Sequence, residues 1–140
     1  MFVHELIENG QATDIAIIDG TRRLTYKDLC DSVAACRSRL YTAGLRSGDR
    51  AGIFSRNRAE YICSYLAIAS LGAIAVPINF QLSLREIAYI LQNADIHQLI
   101  TDRPLQLNLD EIRAVKRTWP DRALVVSLMV PCTEAAWKAI

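Results

Sequence analysis

Very little in these 140 residues is equipped to do chemistry alone. The six glycines stand singly, with no G-x-G-x-x-G or G-x-x-x-x-G-K run. The chain therefore has no stretch of backbone N–H groups free to wrap a phosphate. His4 and His97 are far apart, one in an expected opening helix and one beside an expected strand, and each reads as a surface or edge residue. Neither a G-x-S-x-G elbow nor an H-E-x-x-H pair occurs, which removes the common serine-hydrolase and zinc-protease patterns. Cys30, Cys36, Cys63 and Cys132 show no C-x-x-C or C-x-x-H spacing. Three of them fall in expected helices, where a thiol packs as a small hydrophobe, so the implied compartment is reducing and the expected location cytoplasmic. Net charge is only +1, and the thirteen arginines and three lysines are scattered rather than striped. That balance gives no electrostatic case for nucleic acid or anionic lipid as a partner. The opening MFVHELIENG holds Glu5 and Glu8 without a basic region or a long apolar core, so it does not read as a signal peptide.

Apolar residues, by contrast, are plentiful. At 51% hydrophobic and 22% charged, the chain can bury a core of single-domain size. From Tyr61 to Leu84 no charge occurs at all: YICSYLAIASLGAIAVPINFQLSL. Such a run is long enough to span a bilayer. Gly72 and Pro77 divide it, however, and Ser64, Ser70, Asn79, Gln81 and Ser83 dilute it. It parses better as a buried helix ending at Gly72 followed by the strand AIAVPIN, so the protein is expected not to be transmembrane.

The rest of the chain keeps the same alternation. Two β-type runs flank Asp19-Gly20, a hairpin turn signal. Thr25 and Asp28 make an N-terminal cap for a helix from Tyr26 to about Ala43, with Leu29, Val33, Cys36 and Leu40 as its apolar face. RAGIFS reads as a strand, and Asn57 as the cap of the helix that follows. Ser83 and Glu86 stand at capping-box spacing before a helix to about Asn93, with Leu84, Ile87, Ile90 and Leu91 facing a core. HQLIT and ALVVSLM read as strands, IRAVKRTW as a helix between them after a cap at 108–111, and Thr133-Glu134 as a helix start. The expected fold is α/β: a doubly wound, mostly parallel sheet with flanking helices and an N-terminal antiparallel hairpin.

Two polar loops fall at the carboxyl ends of expected strands, where open α/β sheets place ligands. In Ser55-Arg56-Asn57-Arg58 the arginines read as solvated. In Asn79-Phe80-Gln81 a loop-bracing role for Asn79 and a ligand role stay equally open. Tyr61, Tyr65 and Tyr89 read as packing at the edge of the core.

LTYKDL (24–29), GLRSGDRAGIFSRNRAEYICSYLAIASLGAIAVPIN (44–79), LSLREIAYILQNAD (82–95) and LITD follow one another in an order and spacing that resembles a known family. It is the N-terminal region of adenylate-forming enzymes, the AMP-binding acyl-CoA synthetase and ligase superfamily, with fatty-acyl-CoA ligases nearest in flavour. The resemblance covers Ala16 to Asp102 and fades after Pro104. It implies a partial N-terminal subdomain, residues 1–140, that stops before the Ser/Thr/Gly-rich phosphate loop and before the C-terminal domain. The parent would use ATP, Mg and CoA to turn a carboxylic acid into an acyl adenylate and then a thioester. The 140 residues alone would hold no cofactor and have no catalytic residues or metal site. Their partner would be the remainder of the ligase, with self-association through exposed former interfaces. Asn79-Phe80-Gln81-Leu82 falls at the family's N-x-R-L pattern, whose arginine nears a CoA phosphate in some members. Asn79, Gln81 and Arg85 are the CoA-side candidates so implied, with Gln81 uncharged where the family has arginine. A stand-alone α/β binding, regulatory or oligomerisation module is the alternative.

Overall fold

The computed structural model describes residues 3–96, 98–102, 117 and 125–128. His97, Cys132, the cap at 108–111, the helix expected over 112–119 (apart from residue 117) and the one expected from Thr133 lie outside them. An opening 3-10 helix, Val3–Asn9, leads into a hairpin of β1 (Ile15–Asp19) and β2 (Arg22–Thr25), turning at Gly20-Thr21. Then follow α1 (Tyr26–Thr42), β3 (Arg50–Phe54), α2 (Ala59–Ser70), β4 (Ile74–Ile78), α3 (Leu84–Asn93), β5 (Gln98–Thr101) and β6 (Val125–Leu128). The last four strands form one parallel sheet in the order β4-β3-β5-β6, and the hairpin is a separate two-stranded sheet.

The charge-free run thus divides between α2 and β4, as its glycine and proline foretold. Among the described residues no helix is long and apolar enough to cross a membrane. The two serines of the run that lie in α2 bond back into that helix: Ser64 Oγ donates to the Glu60 carbonyl at 2.8 Å and Ser70 Oγ to that of Ala67 at 2.8 Å. Their hydroxyls are thereby satisfied without leaving the core.

Alternation along the strands sorts the core into two layers. Ala51 and Ile53 of β3 and Ile100 of β5 face α1 and α2, packing with Leu29, Val33, Leu40, Cys63, Leu66 and Ile68. Phe54, Ile78 and Leu99 face the other way and pack with Ile87 and Leu91 of α3 and with Ile96. Helices on both faces make the sheet doubly wound.

The three α-helices among the described residues, α1, α2 and α3, end by the same device. Beyond each helix, one residue takes positive φ: Gly44 at 98°, Gly72 at 70° and Asp95 at 52°. The following N–H then bonds the carbonyl five residues back along the chain: Leu45 to Leu40, Ala73 to Ile68 and Ile96 to Leu91. This is the Schellman arrangement, which satisfies carbonyls that a helix end leaves orphaned. Leu45 and Ile96 are buried, so the turn also delivers an apolar residue to the core just before the next strand.

Candidate functional site

β3 is central: the chain leaves it for β4 on one side, then crosses back to β5 on the other. The crossover direction reverses between β3 and β5, and the carboxyl edge at such a switch point is where open sheets bind ligands. Phe54 pairs with both Ile78 and Thr101, so the loops after the three strands emerge side by side. They bring together Ser55–Arg58, Asn79–Ser83 and Asp102.

Asn79, Gln81 and Arg85 share one stretch of surface after β4. Asn79 Oδ1 accepts the Gln81 backbone N–H at 3.0 Å, and the Leu82 N–H donates to the Asn79 carbonyl at 3.1 Å. Asn79 therefore shapes the turn. Gln81 is exposed beside half-exposed Phe80, and Arg85 is exposed in the first turn of α3. That helix starts from a complete capping box, in which Ser83 Oγ and backbone N–H both donate to Glu86 at 2.7 and 2.9 Å. The Ser83 hydroxyl and N–H hold the Glu86 carboxyl below its usual range.

The loop after β3 departs from two expectations. Asn57 is not the helix cap: Arg58 occupies the cap position and makes no side-chain cap bond. The capping acceptor comes instead from the hairpin, where Asp19 Oδ2 accepts the Ala59 N–H at 3.1 Å. The arginines are not both left to solvent. Arg58 Nε donates to Glu60 Oε2 at 2.9 Å, and its Nη1 lies 3.8 Å from Asp102 Oδ2. Arg56, two-thirds exposed, sits 3.6 Å from the same oxygen.

Glu60 was invisible as a special residue in the sequence, yet it is buried in the first turn of α2. It accepts from Arg22 Nη1 of β2 at 2.7 Å as well as from Arg58. Burial pushes its carboxyl up, but the bond from Arg22, a backbone N–H and the two guanidinium charges outweigh that, so its pKa lies below the ordinary value. The signal available was only an acid beginning an otherwise charge-free helix. A cleft of about 380 Å³ lies between the hairpin and this end of α2, lined by Ile17, Ile18, Asp19, Asn57, Tyr61 and Ile62 among others. Burial, and to a lesser extent the neighbouring Tyr65, raise the Tyr61 hydroxyl. Tyr89, expected at the core edge, is exposed.

His4 is half-buried in the opening 3-10 helix, away from these loops in sequence. Among the described residues no group of three or more His, Cys, Asp or Glu side chains could hold a metal ion. None of the six glycines lies in a loop after a parallel strand: Gly44, Gly48 and Gly72 precede strands, and Gly52 is inside β3. Gly10 and Gly20 belong to the N-terminal region and the hairpin turn. The described carboxyl edge thus offers no cradle of close-approaching backbone for a triphosphate, while the Gln81 and Arg85 side chains are exposed there.

The family described as AMP-binding enzyme matches residues 7–138. A 4-hydroxybutyrate–CoA ligase of Metallosphaera sedula is 34% identical over 98 residues, 70% of this chain and 18% of that protein. A crotonobetaine/carnitine–CoA ligase of Salmonella paratyphi B is 30% identical over 113 residues, 81% of this chain and 22% of that protein. Among solved structures, the anthranilate CoA ligase AuaEII in complex with anthranoyl-AMP superposes with a TM-score of 0.78 at 27% identity. It is matched by 91% of this chain, which spans 25% of its own. The chain therefore spans about a fifth of the length of these two curated ligases.

Proposed function

This chain belongs to the AMP-binding enzyme family, and from that premise we propose that it forms the N-terminal part of an ATP-dependent acyl-CoA ligase. In the whole enzyme a substrate carboxylate oxygen attacks the α-phosphorus of ATP, pyrophosphate leaves, and an acyl adenylate forms. The CoA thiolate then attacks the acyl carbon, AMP leaves, and a thioester results. The observation that carries this reading is the family match across residues 7–138, together with CoA ligases among both the curated relatives and the solved structures. A fatty-acyl or similar carboxylic acid is the substrate class, a medium/long-chain-fatty-acid ligase of Mycobacterium tuberculosis being 34% identical over 89 residues.

The 140 residues contribute scaffold and one flank of a site rather than the reacting groups. The triphosphate of ATP needs its charge neutralised where it breaks, which Mg would help to supply in the whole enzyme, and the described carboxyl edge holds no backbone cradle to assist. CoA is different: Gln81, on the turn that Asn79 braces, and Arg85, in the first turn of α3, would meet one of its phosphates, a reading that their exposure supports. Arg85 supplies the positive charge and Gln81 a neutral donor. The remainder of the ligase is the principal partner, and exposed Ile18 and Ile62 at the hairpin cleft favour self-association in its absence. The cytoplasm is the setting in which such a ligase would meet ATP and CoA.

The test is carboxylate-dependent ATP–pyrophosphate exchange with the purified 140-residue protein. No exchange above background is expected, and measurable exchange would overturn the inactive-scaffold reading. Titration with CoA, followed by amide NMR, is expected to move the Asn79, Gln81 and Arg85 signals before any others. Shifts confined elsewhere would remove these residues from the CoA side.

A further inference from the structure

Two observations concern the same residues. The hairpin shares no ladder with the main sheet, so side chains and caps must seat it. At its turn end polar contacts seat it: Asp19 caps α2 at Ala59, and Arg22 reaches the buried Glu60. Glu60 in turn holds Arg58, whose other arm faces Asp102 at the carboxyl end of β5, with Arg56 on the far side. Asp19, Arg22, Glu60, Arg58, Asp102 and Arg56 thus alternate in sign in one line from hairpin to switch point. The two inner carboxylates are nearly inaccessible, at 7% and 6% side-chain exposure. Buried charges of this kind hold their geometry because losing one partner strands the other.

We propose that this line of charges is a strap that couples the seating of the hairpin to the position of the Ser55–Arg58 loop at the sheet's carboxyl edge, with Arg58 as its pivot. Arg58 is a positioning residue: it touches both inner carboxylates, and a guanidinium fork can serve two acceptors where an ammonium serves one point. The charges that act on Glu60 come from Arg22 on β2 and Arg58 on the loop. Asp19 reaches Arg22 at 3.7 Å, Asp102 and Arg56 lie beyond Arg58, and the Cys36 thiol of α1 lies 3.9 Å from Ser64 Oγ of α2. Protonating Glu60 removes the centre of the strap. Its low pKa places that event below pH 4.5, its ordinary value.

Arg22→Gln and Asp102→Asn remove opposite arms of the strap, one at Glu60 and one at Arg58. Urea unfolding of the single and double variants of the whole chain is expected to show non-additivity of about threefold or more in the unfolding constant. In an Arg58→Lys background, which keeps the charge but not the fork, the coupling is expected to vanish. Additive effects, or coupling that survives Arg58→Lys, would overturn the strap. Should a variant not fold, the unsubstituted protein decides: amide signals of Gly20 and Thr21 are expected to titrate with those of Ser55 and Arg56 on one acid midpoint below pH 4.5. Separate midpoints would overturn it equally.

Discussion

Glu60 shows how a single side chain can be costly to bury and still hold an element in place. Its two arginines remain partly open to water, at 44% and 32% exposure, which limits the penalty if the acid is removed. Glu60→Ala is expected to destabilise the protein by about 1–3 kcal/mol, short of the full cost of stranding a buried charge. Thermal unfolding at neutral pH checks this. Because the folded pKa is depressed, the contribution is complete above the ordinary carboxylate value and is lost as pH falls through the lower, folded one. The gap between the unsubstituted protein and Glu60→Ala should therefore narrow in acid below pH 4.5 and stay level above it. Gly72 is constrained differently: its φ is +70°, and a Cβ there would lie 2.7 Å from Ser47 Oγ. Gly72→Ala is expected to cost about 1–2 kcal/mol from backbone strain alone, with the contact adding to it. A Ser47→Ala, Gly72→Ala double variant should recover only the contact's share.

At the scale of elements, most starts and stops were legible because their signals are local. Thr25 and Asp28 form the expected capping box, with the Asp28 N–H donating to Thr25 Oγ1 at 3.1 Å and the Thr25 N–H to Asp28 Oδ2 at 2.9 Å. Thr25→Ala should destabilise by about 1 kcal/mol, measured by urea denaturation. The start of α2 was misread because its cap comes from forty residues away: Asp19 lies in the hairpin, and no spacing rule near Asn57 could indicate it. The Arg58 ion pair with Asp102 was hidden for the same reason. β4 carries a subtler device. Its Ile74 N–H points toward β3, donating to the Asp49 carbonyl at 2.8 Å, so the alternate residues Ala75 and Pro77 turn their backbone to the open edge. Proline there withholds a donor from any strand that might pair alongside. Pro77→Val is expected to raise self-association, seen as a concentration-dependent increase in sedimentation coefficient.

For the molecule as a whole, the alternation of strands and helices along the chain was enough to foretell a doubly wound sheet, and the two apolar layers on β3 bear that out. Strand order was not legible in that way, because neighbouring strands leave no mark on each other's local sequence. It took the ladders of β3 with β4 and β5 to locate the switch point and to raise Ser55–Arg58 and Asp102 beside Asn79, Gln81 and Arg85.

The amino edge of the sheet is stitched shut. Each helix–strand joint there spans a few residues around a positive-φ turn, the Gly48 N–H bonds the Gly72 carbonyl at 2.9 Å, and buried Gln98 donates to the Ala43 carbonyl at 3.1 Å. The turn from Asn79 to Ser83, on the opposite edge, is largely exposed and carries its own Asx bond, with the capping box following it. Over evolutionary time, chain length should therefore change at one edge and not the other. Residues inserted after Gln81 would lengthen a surface turn, whereas the same residues inserted after Gly72 would cut the stitches that set the strands in register.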